Sequence, residues 1–155
     1  MNACKKNALT LCIGVIFSGI IALSVLSSST VFAQEKPVKK TTEEPSKLLV
    51  LWTSGDREVA IKVAFMYTLN SKTSKWWNEV CLVVWGPSSK LLSEDKELQD
   101  YVKKMKDAGV IVQACKACAD MYGVSDTLSK MGIDVKYMGK PLTDMLKSGW
   151  VNLTF

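Results

Sequence analysis

The chain has 155 residues, with 20 Lys and Arg against 15 Asp and Glu, a formal charge of +5, and no histidine. The missing imidazole removes the usual general base, the commonest metal ligand and every nucleophile pair that depends on it, which argues against a hydrolase or a metalloenzyme. The basic residues are scattered apart from Lys103, Lys104 and Lys106, a cluster that reads as the wet face of a helix and not as a nucleic-acid stripe.

In chain order, the first feature is an apolar run from Leu11 to Leu26, preceded by Lys5 and Lys6 and followed by "SSSTVFAQ". A basic start, an apolar middle and small residues before a cut after Ala33 make residues 1–33 a secretory signal, which sends the protein to the periplasm or out of the cell. Left uncut, the run would act as an anchor, the one case in which a membrane is a partner, although it is short for a comfortable span. Cys12 follows "ALTL" instead of a small residue, which speaks against a lipoprotein site. Residues 34–46 hold Pro37, Pro45, both charge signs and Val38 as the sole aliphatic residue, the composition of a solvated linker. Residues 47–155 then suit one domain with one core.

That domain reads as strand, helix, strand, helix. "KLLVLW" and "EVCLVVW" are apolar without alternation, as strands covered on both faces are. "GVIVQAC", "IDVKYM" and "WVNLTF" complete a set of five strands near 48–52, 79–85, 110–114, 135–138 and 151–155. Between them, Ile61, Ala64, Phe65, Thr68 and Leu69 share one face of a helix beginning near Asp56. Leu98, Tyr101, Val102, Met105 and Ala108 share a face of another, and Gly109 can end it. Val124, Leu128 and Met131 fit a shorter helix, and Leu142, Met145 and Leu146 a further one. The alternation implies an α/β fold with a five-stranded parallel sheet and helices on both sides.

In open parallel sheets, ligands gather beyond the carboxyl ends of the strands. Here those ends hold Thr53, Ser54 and Gly55, then Gly86 and Ser88, then Cys115, then Met138. Amides and hydroxyls of "TSGD" and "GPSS" are expected to line a pocket beside Cys115 and hold a small anion. Cys81 lies inside the second strand and reads as packing. No metal or organic cofactor is indicated, because no glycine-rich phosphate fingerprint follows the first strand.

"QACKACADMYGVSD", residues 113–126, places Cys115 and Cys118 three residues apart where a strand passes into a helix. A helix start favours thiolate at Cys115; Lys116 adds to that and Asp120 opposes it. Covalent c-type haem is excluded because Ala119 stands where C-x-x-C-H needs histidine. Two thiolates supply half of a zinc shell. Incidental cysteines, a redox-active dithiol and a single working thiol stay open on spacing alone.

Residues 47–155 as a whole resemble the DsrE/DsrF-like family of small sulfur-handling proteins. The resemblance rests on "LLVLWTSGD", "VCLVVWGPSSKLL", "GVIVQACKACADMYGV" and "KYMGKPLTDMLKSGWVNLTF". It implies a three-layer α/β/α sandwich, a relative of flavodoxin-like folds, that assembles as homo-oligomers, often trimers or hexamers. In sulfur-relay members a cysteine closes the third strand, and a glycine and an aliphatic residue follow eight positions later. Cys115 and Gly123-Val124 match that pattern. The resemblance therefore implies a persulfide carried on Cys115 and exchanged with a sulfur donor or acceptor protein or a small sulfur anion. Cys118 departs from the basic motif and would resolve that persulfide into a disulfide. Met121 and Tyr122 replace the basic residues that often precede the glycine, and an export signal departs from the cytoplasmic setting of those members. The alternatives are a redox-active dithiol protein using Cys115 and Cys118, and a non-catalytic oligomeric module that binds a small ligand.

Overall fold

A computed structural model describes residues 46–155. The expected signal (1–33) and the expected linker, apart from Ser46, lie outside the described residues. None of the described helices is long and apolar enough to cross a membrane.

Five strands form one parallel sheet: β1 (Lys47–Trp52), β2 (Glu79–Val84), β3 (Ile111–Cys115), β4 (Asp134–Lys136) and β5 (Val151–Thr154). Their spatial order is β4-β3-β2-β1-β5. Parallel neighbours need crossovers, and crossovers are right-handed. The steps from β1 to β4 all move one way across the sheet, so their helices share one face. The step from β4 to β5 returns to the opposite edge and brings its helix to the other face.

The first face carries a helix that starts at Arg57. It runs as α1 (Arg57–Val59), a π-helical stretch (Ala60–Phe65) and α2 (Met66–Thr73). Asp56 caps its start by accepting from the amides of Glu58 and Val59 at 2.7 and 3.2 Å, which satisfies two donors that a helix start leaves without partners. The same face holds α3 (Pro87–Glu94), α4 (Lys96–Asp107), α5 (Lys116–Met121) and α6 (Ser125–Lys130). Asp95 caps α4 through the Leu98 amide and also accepts from Arg57 Nε at 2.7 Å, which ties the first helix to α4. The Leu98 amide, followed by the Arg57 guanidinium, holds the Asp95 carboxyl below its ordinary range.

The alternation of strand side chains separates two cores. Leu48, Val50, Trp52, Leu82 and Val84 meet Phe65, Leu92, Leu98, Val102, Met105 and Leu128 on the first face. Leu49, Cys81, Val83, Cys115 and Met138 form the core of the second. That face is covered by α7 (Gly139–Lys147), through Leu142 and Met145, with Trp150 beside them. The expected parallel α/β sheet is therefore present, with its third layer made by one helix.

Candidate functional site

The carboxyl ends of β1, β2 and β3 lie side by side, and each feeds a loop that enters a helix on the first face. Cys115 is the last residue of β3 and the residue before α5. Its alternation with Ala114, which belongs to the first core, directs it to the second face, where Met138 and Val83 belong to the same core, and it is 4 % exposed. Cys118 lies in the first turn of α5, partly exposed, with its sulfur beside that of Cys115. Burial, and then the neighbouring Cys115, raise the Cys118 thiol above its ordinary value, while the Gly86 amide facing the sulfur works in the opposite direction. Cys81, Cys115 and Cys118 are all free thiols.

Gly86 occupies φ 70°, ψ −135°, a conformation open to glycine and strained for any other residue. It lets β2 turn into α3 with Pro87 at the first helical position, where proline's fixed φ suits a helix start. Gly86→Ala meets no steric obstacle around its Cβ, so its cost is backbone strain of about 1–3 kcal/mol. The urea midpoint should fall accordingly. The Cys118 alkylation profile should also move to higher pH as the amide turns away; an unmoved profile would detach Gly86 from the thiol.

Two of the three hydroxyls expected to face an anion donate within the fold instead. Thr53 Oγ1 donates to the Phe155 carbonyl at 2.8 Å, and the Thr53 and Ser54 amides donate to the same oxygen at 2.6 and 3.1 Å, extending the β1–β5 ladder. Ser54 Oγ accepts from the Asp56 amide at 3.0 Å. Ser88 is fully buried; its Oγ donates to the Trp52 carbonyl at 2.7 Å and accepts from the Trp85 amide at 3.0 Å. The Thr53 and Ser88 hydroxyls fasten the ends of β1, β2 and β5 together and have no proton left for an anion, whereas the Ser54 hydroxyl only accepts and keeps its proton. Lys116 does not face the thiols with a free charge either. Its ammonium bonds both oxygens of Asp120 at 2.8 and 2.7 Å, which raises the lysine and lowers the aspartate, and lies 5.7 Å from the Tyr137 ring centre.

What the structure does bring together is Cys115, Cys118, Gly86 and Met138, with Gly55 close by. A Cβ placed on Gly55 would sit 3.3 Å from that of Pro87, so the β1 and β2 loops nearly touch. Next to them opens a cleft of about 210 Å³, lined by Gly55, Pro87, Lys90, Leu91, Glu94 and Tyr122. The sequence reading missed the last four of these. The one local sign was that Tyr122 follows Cys118 by four residues and so shares its helix face, with the Tyr122 amide 3.3 Å from the Cys118 carbonyl. Among the described residues no group of three or more metal-ligating side chains comes together.

The model of the DsrE/DsrF-like family matches residues 47–155. No curated protein gives a match. Among solved structures, the conserved protein of unknown function BT1422 from Bacteroides thetaiotaomicron is 36% identical, with a TM-score of 0.69 over 71% of this chain and 95% of its own. The ychN protein from E. coli is 15% identical, with a TM-score of 0.58 over 71% of this chain and 99% of its own, a likeness of fold.

Proposed function

Because the chain belongs to the DsrE/DsrF-like family, we propose that it binds or transfers sulfur through a cysteine persulfide on Cys115, with Cys118 as the resolving thiol. The observation that carries this reading is the pairing of the two cysteines in one cluster at the carboxyl edge of a central strand. The chemistry needs no histidine. A thiolate attacks the outer sulfur of a donor persulfide, one S–S bond forms as another breaks, and the donor leaves as a thiolate. Attack by the second thiol on the inner sulfur of the loaded cysteine would then give a Cys115–Cys118 disulfide and hydrosulfide.

The same contact supports a second reading, a dithiol that cycles between thiols and disulfide. The proposal extends to an exported protein, on the strength of residues 1–33, and to homo-oligomers. For the latter, among the described residues the second face has one helix where the first has five, and it leaves Ile111 and Leu146 43 % and 48 % exposed. An unpartnered apolar surface of that kind suits a subunit contact.

Mass spectrometry after incubation with polysulfide or thiosulfate, with and without reductant, tests the reading. Reductant-labile gain of sulfur that disappears in Cys115→Ala is the expected result. A loss of two hydrogens without added sulfur, reversed by reductant, would move the assignment to the dithiol cycle.

A further inference from the structure

A cleft of about 490 Å³ opens at the amino-terminal end of the sheet, about 17 Å from the cysteine edge along β2. Lys72 and Thr73 line it from the end of α2, Lys75, Trp77 and Asn78 from the loop before β2, and Ala108 from the end of α4. We propose that this cleft binds a small planar aromatic anion, with its ring against Trp77 and its charge at Lys72 and Lys75. The site lies apart from the thiols and does not depend on the sulfur-handling reading.

The two lysines have no structural task that uses their charge. Lysines near helix ends commonly satisfy the last carbonyls. In α2 the carbonyls of Asn70, Ser71 and Lys72 are already taken by the amides of Ser74, Trp76 and Lys75 at 2.9, 3.1 and 3.2 Å. In α4 those of Lys104, Met105 and Lys106 are taken by the amides of Ala108, Val110 and Gly109 at 3.0, 2.9 and 2.9 Å. Lys72 reaches past its own helix, and its Nζ donates to the Asn78 carbonyl at 3.0 Å. Its stem crosses Gly109, where an added Cβ would lie 3.3 Å from Lys72 Cε. That ammonium is therefore held in place with two of its three protons unused among the described residues. Lys75 adopts φ 57°, and among the described residues no other non-glycine residue has a positive φ. Glycine is the ordinary occupant just past a helix end, so lysine here accepts backbone strain and places a charge on the wall of the cleft. Among the described residues neither lysine has an ion pair, and no acidic side chain lines the cleft.

The unused polar groups select the ligand. Thr73 Oγ1 donates its proton to the Leu69 carbonyl at 3.0 Å. What remains is the two ammonium groups and the Asn78 side-chain nitrogen, all donors. An occupant must supply acceptors and negative charge, which make the stronger kind of hydrogen bond. Trp77 is half-buried, packed against the first core and open to the cleft, and an indole face is matched by a flat ring. The volume falls within the roughly 300–1,000 Å³ of small-molecule sites.

Equilibrium dialysis of the full chain against 2-naphthoate tests the assignment. The expected Kd is below about 1 mM. Two controls, 2-naphthamide without the charge and hexanoate without the ring, should each bind at least about fivefold more weakly, the worth of one such contact. Lys72→Met keeps the stem against Gly109 and removes the charge, and should weaken 2-naphthoate by about tenfold. Lys75→Gly should weaken it by about threefold and raise the urea midpoint, because glycine takes that φ without strain. A lysine with a structural role alone would not separate affinity from stability in this way. Equal binding of 2-naphthoate and 2-naphthamide would overturn the proposal, as would unchanged affinity in both lysine variants or no binding at millimolar concentration. Binding seen only after Glu43→Gln and Glu44→Gln would overturn it too. It would give the cleft to the chain's own carboxylates, which precede Ser46 by three and two residues, since the Ser46 carbonyl accepts from the Asn78 amide at 3.0 Å.

Discussion

Trp52→Ala should destabilise the domain by about 3–5 kcal/mol, the usual cost of emptying a large aromatic site in a core. That is a large share of the roughly 5–15 kcal/mol available to a natural domain. Trp52 is fully buried at the end of β1. Its ring meets Phe65 edge-on, with centroids 4.7 Å apart and planes at 77°, and Phe65 in turn packs against Tyr101 at 5.5 Å. The chain of rings locks β1, the π-helical stretch and α4 together. The indole Nε1 is buried without a hydrogen-bond partner, so the nitrogen contributes nothing favourable and the ring surface carries the effect. Trp52→Phe should therefore cost less than about 1.5 kcal/mol, because it keeps most of the apolar volume and removes the orphan donor. Urea unfolding followed by circular dichroism separates the two variants. Equal midpoints for both would mean that the ring is not what joins these elements. The Trp52 carbonyl also accepts from Ser88 and from the Trp85 amide. Trp52→Ala keeps that carbonyl, so sulfur loading should fall only as far as the folded fraction falls.

The strands most visible in the sequence are those whose two faces are both buried. "LLVLW" and "VCLVV" leave no polar residue to disturb the pattern, and the reading placed β1 and β2 within a residue of their observed limits. β4 is an edge strand of three residues, Asp134–Lys136, with both charged side chains on one face. Its alternation is too short to recognise, and the apolar Tyr137 and Met138 drew the expectation to 135–138. Met138 instead precedes α7 and is fully buried beside Cys115, a closure set by a crossover that brings distant segments together.

The site was legible as a place and not as a set of contacts. Strand ends point to the working edge by topology alone, so Cys115, Gly55 and Gly86 could be named. The hydroxyls of Thr53 and Ser88 stand at the same edge, but their partners are carbonyls 102 and 36 residues away. Local pattern has no access to such distances, so groups that fasten the fold looked like groups that bind a ligand. Lys90 and Glu94 belong to α3, which runs from Pro87 to Glu94. Their convergence with Tyr122 depends on α3 packing beside α5, which no spacing within either segment encodes.

Cys81 gives the domain an alkaline limit. It sits in the middle of β2, fully buried under the single-helix face. Loss of water pushes its thiol from 9.0 up to about 12, with Lys136 pulling it down and Asp134 pushing it up to lesser extents. The unfolded chain releases this proton near pH 9 and the folded domain holds it until about 12. Between those values the unfolded state binds fewer protons, so stability must fall as pH rises. The contribution is fully present below about pH 9 and is lost progressively toward pH 12, with a limiting slope of about 1.4 kcal/mol per pH unit. Cys81→Val keeps an apolar side chain of similar size at the site and has no proton to lose. Between pH 9 and pH 10 the wild-type chain should lose about 1 kcal/mol more than Cys81→Val in chemical denaturation, with no such divergence between pH 6 and pH 8. Parallel curves through pH 10 would mean that water reaches the Cys81 sulfur. The same enclosure predicts that a thiol reagent labels Cys118 in the folded domain and reaches Cys81 only after denaturation, because the thiolate, not the thiol, is the nucleophile. On this account the three described cysteines differ by enclosure: Cys81 sealed within the sheet, Cys115 closed over at its edge, and Cys118 partly exposed.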